Sequence, residues 1–159
     1  VSGSVTYLNS KVLEYQGPNA LGFGMNFRGD ELPFTPKWSG NVNVDYRVPL
    51  DHGTPFFGFT VGSRSGSDAV VGGSRIEYPN DPLTRVTPGV VHPFRIDGYT
   101  TVDAGIGYES EDGRWKVTVW GKNLLNKYYW TSVIPSLDTS ARFAGMPVTY
   151  GVTLGWKLH

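Results

Sequence analysis

At 159 residues, with 14 Lys and Arg balanced by 14 Asp and Glu, the chain carries a formal charge of zero and has no electrostatic basis for holding a polyanion such as nucleic acid. It has no cysteine, which excludes disulfides and thiolate metal sites, and no stretch approaches the roughly 18 apolar residues that a membrane helix needs. A hydrophobic fraction of 39% would support a core, but 14% aromatics with 21 glycines and 11 prolines set the chain apart from an ordinary soluble domain.

Six strands are predicted, in order. Residues 2–13 alternate weakly, with Val5, Tyr7 and Val12 as the apolar members, and a long connection over 16–32 follows. Residues 37–49 alternate strictly: Trp38, Gly40, Val42, Val44, Tyr46 and Val48 oppose Lys37, Ser39, Asn41, Asn43, Asp45 and Arg47. A short turn at Asp51-His52-Gly53-Thr54 leads to residues 55–66, where Phe57, Phe59 and Val61 oppose Thr60, Gly62 and Arg64. After a second long connection, 67–94, residues 100–109 set Val102, Ala104, Ile106 and Tyr108 against Thr101, Asp103, Gly105, Gly107 and Glu109. Glu111-Asp112-Gly113 is an Asp-Gly hairpin signal. In the fifth strand Trp115, Val117 and Val119 oppose Lys116, Thr118 and Lys122, and Trp120 breaks the pattern. A third long connection, 127–146, precedes the last strand, where Val148, Tyr150, Val152, Leu154, Trp156 and Leu158 oppose Thr149, Gly151, Thr153, Gly155 and Lys157.

Strands of ten or more residues are long for a soluble sheet, where about five or six is usual, and match what a tilted strand needs to cross a bilayer. Short turns alternate with long connections, as periplasmic turns alternate with extracellular loops in an outer-membrane barrel. Aromatics gather near strand ends, among them Trp38, Tyr99, Trp115, Tyr128, Tyr129, Trp130 and Trp156, where a membrane–water boundary suits a ring with a polar tip. The predicted fold is an all-β, antiparallel up-and-down transmembrane β-barrel segment. A soluble β-sandwich that presents aromatics to carbohydrate also alternates, so strand length and turn order separate the two. A passive porin segment is a third alternative.

No catalytic constellation is present, and the chain reads as a non-enzyme. His52, His92 and His159 lie far apart and outside any metal-ligand spacing, and no cofactor site is visible. Gly105-x-Gly107 precedes a hairpin rather than a helix, so it is no dinucleotide loop. A Gly-x-Ser-x-Gly elbow is lacking.

Three motifs occur in series. Leu32-Pro33-Phe34-Thr35-Pro36-Lys37-Trp38-Ser39 opens the second strand, Asn123-Leu124-Leu125-Asn126-Lys127-Tyr128-Tyr129 follows the fifth, and Ala144-Gly145-Met146-Pro147-Val148-Thr149-Tyr150-Gly151-Val152 enters the last. Together they resemble the C-terminal barrel of TonB-dependent outer-membrane receptors, with Val148 where the family has Arg and His159 where it ends in an aromatic. The resemblance implies about six strands of a 22-stranded barrel over residues 1–159, with the N-terminal plug and remaining strands as partners supplied elsewhere. The chain is then a fragment or one piece of a split receptor, since six strands cannot close round a plug. It also implies a Gram-negative outer membrane, energy delivered by TonB through an absent N-terminal segment, and uptake of a scarce, large solute. That solute is a ferric siderophore first, with cobalamin or a glycan as alternatives.

For a bulky anionic ligand, Arg charge with aromatic contact area is the expected recognition chemistry. The loop candidates are Arg75, Tyr78, Arg85 and His92, with Tyr129, Trp130, Arg142 and Phe143; the alternative is that these side chains only order their loops. Asp45, Arg47, Arg64, Asp103 and Lys122 fall on the expected lumen face, either lining a path or plug contact or forming an interstrand charge ladder.

Overall fold

A computed structural model describes residues 1–76, 92–136 and 139–157. Its frame is one six-stranded antiparallel meander of β1 (Ser2–Tyr7), β4 (Trp38–Arg47), β5 (Gly53–Arg64), β8 (Tyr99–Ser110), β9 (Trp115–Lys122) and β12 (Thr149–Trp156), neighbours in that order. The remaining strands form three two-stranded ladders within the long connections: β2 (Gln16–Pro18) with β3 (Gly24–Asn26), β6 (Ser67–Asp68) with β7 (Arg95–Ile96), and β10 (Trp130–Ser136) with β11 (Thr139–Ala144).

Register turns the alternation of each strand into two faces of one sheet, because directly paired residues point the same way. Tyr46 pairs with Phe57, Phe57 with Ile106, Ile106 with Val119, and Val119 with Val152. A second row runs Val42, Val61, Val102. These side chains form a continuous apolar face that no second layer of described residues covers: Ile106 is 64% exposed and Val152 68%. A sandwich would seal such a face with a second sheet. Tyr7 packs on Trp38 at the long-connection end, and Tyr108 on Trp115 at the short-turn end, with ring centroids 4.6 and 5.4 Å apart. From Trp38 to Tyr46 the strand runs about 27 Å, close to the height of a membrane barrel's apolar band once tilted.

The first strand is shorter than predicted. Alternation stops at Tyr7, and the chain then runs beside the returning connection through Leu8 N–H to Lys37 O (2.9 Å) and Val12 N–H to Asp30 O (2.8 Å). Trp120, the misfit in the fifth strand, lies on the polar face between Gly105 and Gly151, its direct partners on either side. Its ring occupies the room a Cβ on Gly151 would need, 2.6 Å away, and its Nε1–H donates to the Thr153 hydroxyl at 3.0 Å. Phe56 does the same over Gly107, so both of these rings have a glycine beside them.

At one end, β4 turns into β5 through reciprocal Leu50–Gly53 backbone bonds of 3.0 and 3.1 Å. The β8–β9 turn is held by Asp112, whose Oδ1 accepts from the Ser110 hydroxyl (2.7 Å) and the Arg114 N–H (3.0 Å). These two hydrogen bonds, helped by the Arg114 charge, hold its carboxyl below the ordinary 3.8. At the other end lies the apolar core, and it belongs to the connections rather than the sheet. Ala69, Ile76, Phe94 and Ile96 of the second connection pack with Val133 of the third, and Ala20, Leu21 and Trp130 close round them.

Candidate ligand-binding loops and wall

Where β9 ends at Lys122, four residues short of the level at which β8 begins at Tyr99, the Asn123–Asn126 turn fastens the third connection to the wall. Asn123 and Asn126 take left-handed backbones (φ 49° and 46°), which Asn tolerates better than other side chains with a Cβ. Asn123 is only 3% exposed. Its Nδ2 donates to the carbonyls of Lys127 and Met146, both at 2.9 Å, and its Oδ1 accepts the Lys127 N–H at 2.9 Å. Its own N–H donates to Asp103 Oδ1 (2.8 Å), and the Val148 N–H reaches Asn126 Oδ1 (3.1 Å). One asparagine thereby ties β8, the connection and the approach to β12 together.

Beyond this turn, Tyr129 stacks on Tyr99 with centroids 4.0 Å apart. Desolvation, then the charges of Tyr99 and Asp103, hold its phenol above the usual range. In the β10–β11 ladder Arg142 pairs across from Val133, lies over the Trp130 ring at 5.5 Å and donates to Pro93 O at 3.1 Å. Arg142 and Trp130 thus join the third connection to the second, while Phe143 is half exposed. Arg75 points the other way, donating to Asn26 O (2.8 Å) and forming an ion pair with Asp30 of the first connection. His92 has a buried Nδ1 with no partner among the described residues. Tyr78 and Arg85 lie outside the described residues.

The candidates are therefore distributed over the junctions between connections and do not converge on one point. What does converge is a polar cleft of about 440 Å³ at the foot of the first two connections, lined by Asp30, Glu31, Lys37, Asp68, Ser74, Arg75 and Arg95. Asp68, nearly buried, accepts the Ser74 N–H (2.9 Å) and hydroxyl (2.5 Å), and Arg95 reaches the same hydroxyl at 3.3 Å. Glu31, through a hydrogen bond and then its charge, holds the Lys37 ammonium above its ordinary range. Sequence reasoning missed Asp30, Asp68 and Arg95, because no local pattern marks residues that meet only when separate connections fold together.

On the wall, register puts Asp45, Arg47, Arg64, Asp103 and Lys122 on the polar face. Arg47 pairs with Glu109 at 3.2 Å across β5, and the intervening Phe56 ring has Arg47 at 5.1 Å and Lys116 at 4.5 Å. Arg64 lies over Tyr99 and donates to the Ser67 hydroxyl at 2.8 Å. Asp103 serves the Asn123 turn.

Residues 1–124 match the family described as TonB dependent receptor-like, beta-barrel. The chain belongs to that family, and its six-stranded sheet is a segment of a transmembrane barrel wall. Among solved structures it is similar to the ferric yersiniabactin uptake receptor FyuA from Yersinia pestis, at a TM-score of 0.60 and 17% identity over 80% of this chain and 17% of that one. It is also similar to BauA, the ferric preacinetobactin receptor from Acinetobacter baumannii, at 0.54 and 18% over 80% of this chain and 16% of that one. The chain thus spans about a sixth of the length of either receptor. At these identities the likeness establishes the fold. Family and neighbours are receptors of the Gram-negative outer membrane rather than enzymes.

Proposed function

We propose that this chain is the C-terminal part of the barrel of an outer-membrane TonB-dependent receptor that imports a scarce, large solute, a ferric siderophore first among them. The observation that carries the reading is the two-faced register: one apolar face, left open by the described residues, that runs from Val5 and Tyr7 of β1 across all six strands, backed by a polar face, in a chain of this family. The likeness to FyuA, a ferric yersiniabactin uptake receptor, and to BauA, the ferric preacinetobactin receptor, supports the substrate class. In this reading the apolar face meets lipid, the polar face meets the plug and the solute's path, and the long connections reach outside the cell. The plug, the remaining strands and the TonB contact lie in other parts of the receptor. This part contributes wall and loops and does no chemistry on the solute.

Arg142 and Trp130, with Arg75 and the polar cleft, are the proposed contacts for an anionic chelate. The test expresses the full-length receptor in cells lacking it and follows uptake of labelled ferric siderophores, cobalamin and glycans under iron limitation. Energy-dependent uptake of a ferric siderophore, weakened by Arg142→Ala with Trp130→Ala at unchanged surface expression, is expected. Uptake of cobalamin or a glycan alone refutes the substrate class. Uptake that survives loss of TonB refutes energy coupling and favours a passive pore.

A further inference from the structure

The apolar face is not flat. Its middle row runs Val44, Phe59, Ala104, Gly121, Tyr150, so two small residues on adjacent strands lie between larger ones. The result is an open trough of about 630 Å³, walled by Phe57, Phe59, Ile106, Val119 and Tyr150. Phe59 and Tyr150 are three strand spacings apart, about 14 Å, so the trough admits a slender ligand and no bulky one. Its end toward the long connections is closed by Leu124. The left-handed Asn123 turn swings Leu124 back, its N–H bonds to Val102 O at 2.8 Å, and its side chain lies over Gly121, where a Cβ would come within 2.5 Å of Leu124 Cδ2. Gly121 is therefore small because Leu124 covers it. Among the described residues no charged side chain lines the trough.

We propose that this trough seats one hydrocarbon chain of a membrane lipid, running along the wall with its tip or its upper methylenes against Leu124. The inference rests on the outer-membrane reading, and the trough is continuous with the face that reading turns to lipid. Apart from the Tyr150 hydroxyl on one wall, the described lining side chains are apolar, so most polar groups of a headgroup or a peptide backbone would be stranded there. It lies over β5, β8, β9 and β12, so wall strands added beyond β1 or β12 leave its floor uncovered. Lipid tails are as apolar as the wall, so the seat is held by close packing rather than by escape from water, and an empty trough would forfeit those contacts. Preferential occupancy follows, rather than tight binding.

The experiment reconstitutes the full-length receptor into phosphatidylcholine vesicles containing a trace of lipid with a diazirine on its acyl chain. After irradiation, adducts are mapped by mass spectrometry, and the heat-dependent gel shift reports the folded barrel. Several-fold more adduct is expected on the peptides bearing Ala104–Ile106 and Val119–Leu124 than on Val42 and Val61 of the same face. Ala104→Leu, or the milder Ala104→Val if the first does not fold, should bring trough labelling down to wall level while Val42 and Val61 stay unchanged. Even labelling across the wild-type face, or enrichment that survives the filled trough, overturns the seat. Crosslinks to a second receptor copy at these residues overturn it in favour of a protein occupant. Absence of both adducts and gel shift removes the membrane reading itself, and the seat with it.

Discussion

Replacing Asn123 with alanine should loosen the attachment of the third connection to the outer end of the wall. The substitution removes three hydrogen bonds made by a buried side chain and leaves the Lys127 N–H and the Lys127 and Met146 carbonyls to find water. At about 1 kcal/mol per bond this is about 3 kcal/mol, and forcing alanine to a left-handed backbone adds about 1 kcal/mol. Asn123→Gly relieves only the backbone part, so it should be milder than alanine by about 1 kcal/mol and still well below wild type. The assay is urea unfolding of the full-length receptor in lipid vesicles, read by the heat-dependent gel shift, with hydrogen exchange at the Lys127 and Val148 amides as the local report. Both amides should exchange faster in each variant. If alanine and glycine both fall within about 0.5 kcal/mol of wild type with exchange unchanged, the hub assignment is wrong. If glycine restores full stability, the backbone conformation matters and the side-chain bonds do not.

Three further outcomes are expected. Val61→Arg, on the apolar face, should cost about 2–4 kcal/mol of folding free energy into vesicles, whereas Thr60→Arg on the polar face should cost little; equal costs would remove the bilayer from the account. Gly151→Ala should destabilise the wall by about 1–3 kcal/mol through overpacking against the Trp120 ring, and most of that should return in a Trp120→Ser background, as a double-mutant cycle would report. Asp112, whose carboxyl is held below 3.8 by Ser110 and Arg114, stabilises the β8–β9 turn at pH values above that figure and loses the contribution as pH falls through its lower folded value. An NMR titration of its side chain with a midpoint at or above 3.8 would contradict this.

The wall was legible because its information is local. Period-two alternation in Trp38–Tyr46 or Val102–Tyr108 needs no knowledge of partners, and once strands pair in register the faces follow. Trp120 defeated that reading for a physical reason: the rule counts side-chain character, and a ring can sit on the polar face when the neighbouring strands supply Gly105 and Gly151 beneath it. The β6–β7 ladder was invisible, because its strands are two residues each and are set by pairing across a long connection. The candidate site was read as residue types without geometry. Arg142 was singled out as charge for an anionic ligand; its place over Trp130 and its bond to Pro93 O, some fifty positions away, come from packing that no spacing rule reaches. Arg75 and Asp30 are separated in the same manner.

The apolar knot shared by the three connections has a consequence for recognition. Phe94, Ile96 and Val133 are almost wholly shielded from water by the connections themselves, so packing among the described residues holds the arrangement of these connections. A ligand landing on such a surface has little ordering entropy to overcome. If Arg142 and Trp130 do contact the solute as proposed, truncating Val133, which pairs with Arg142 and packs with Trp130, or Ile96 behind it should weaken capture without removing a proposed contact, with the loss appearing mainly as faster release.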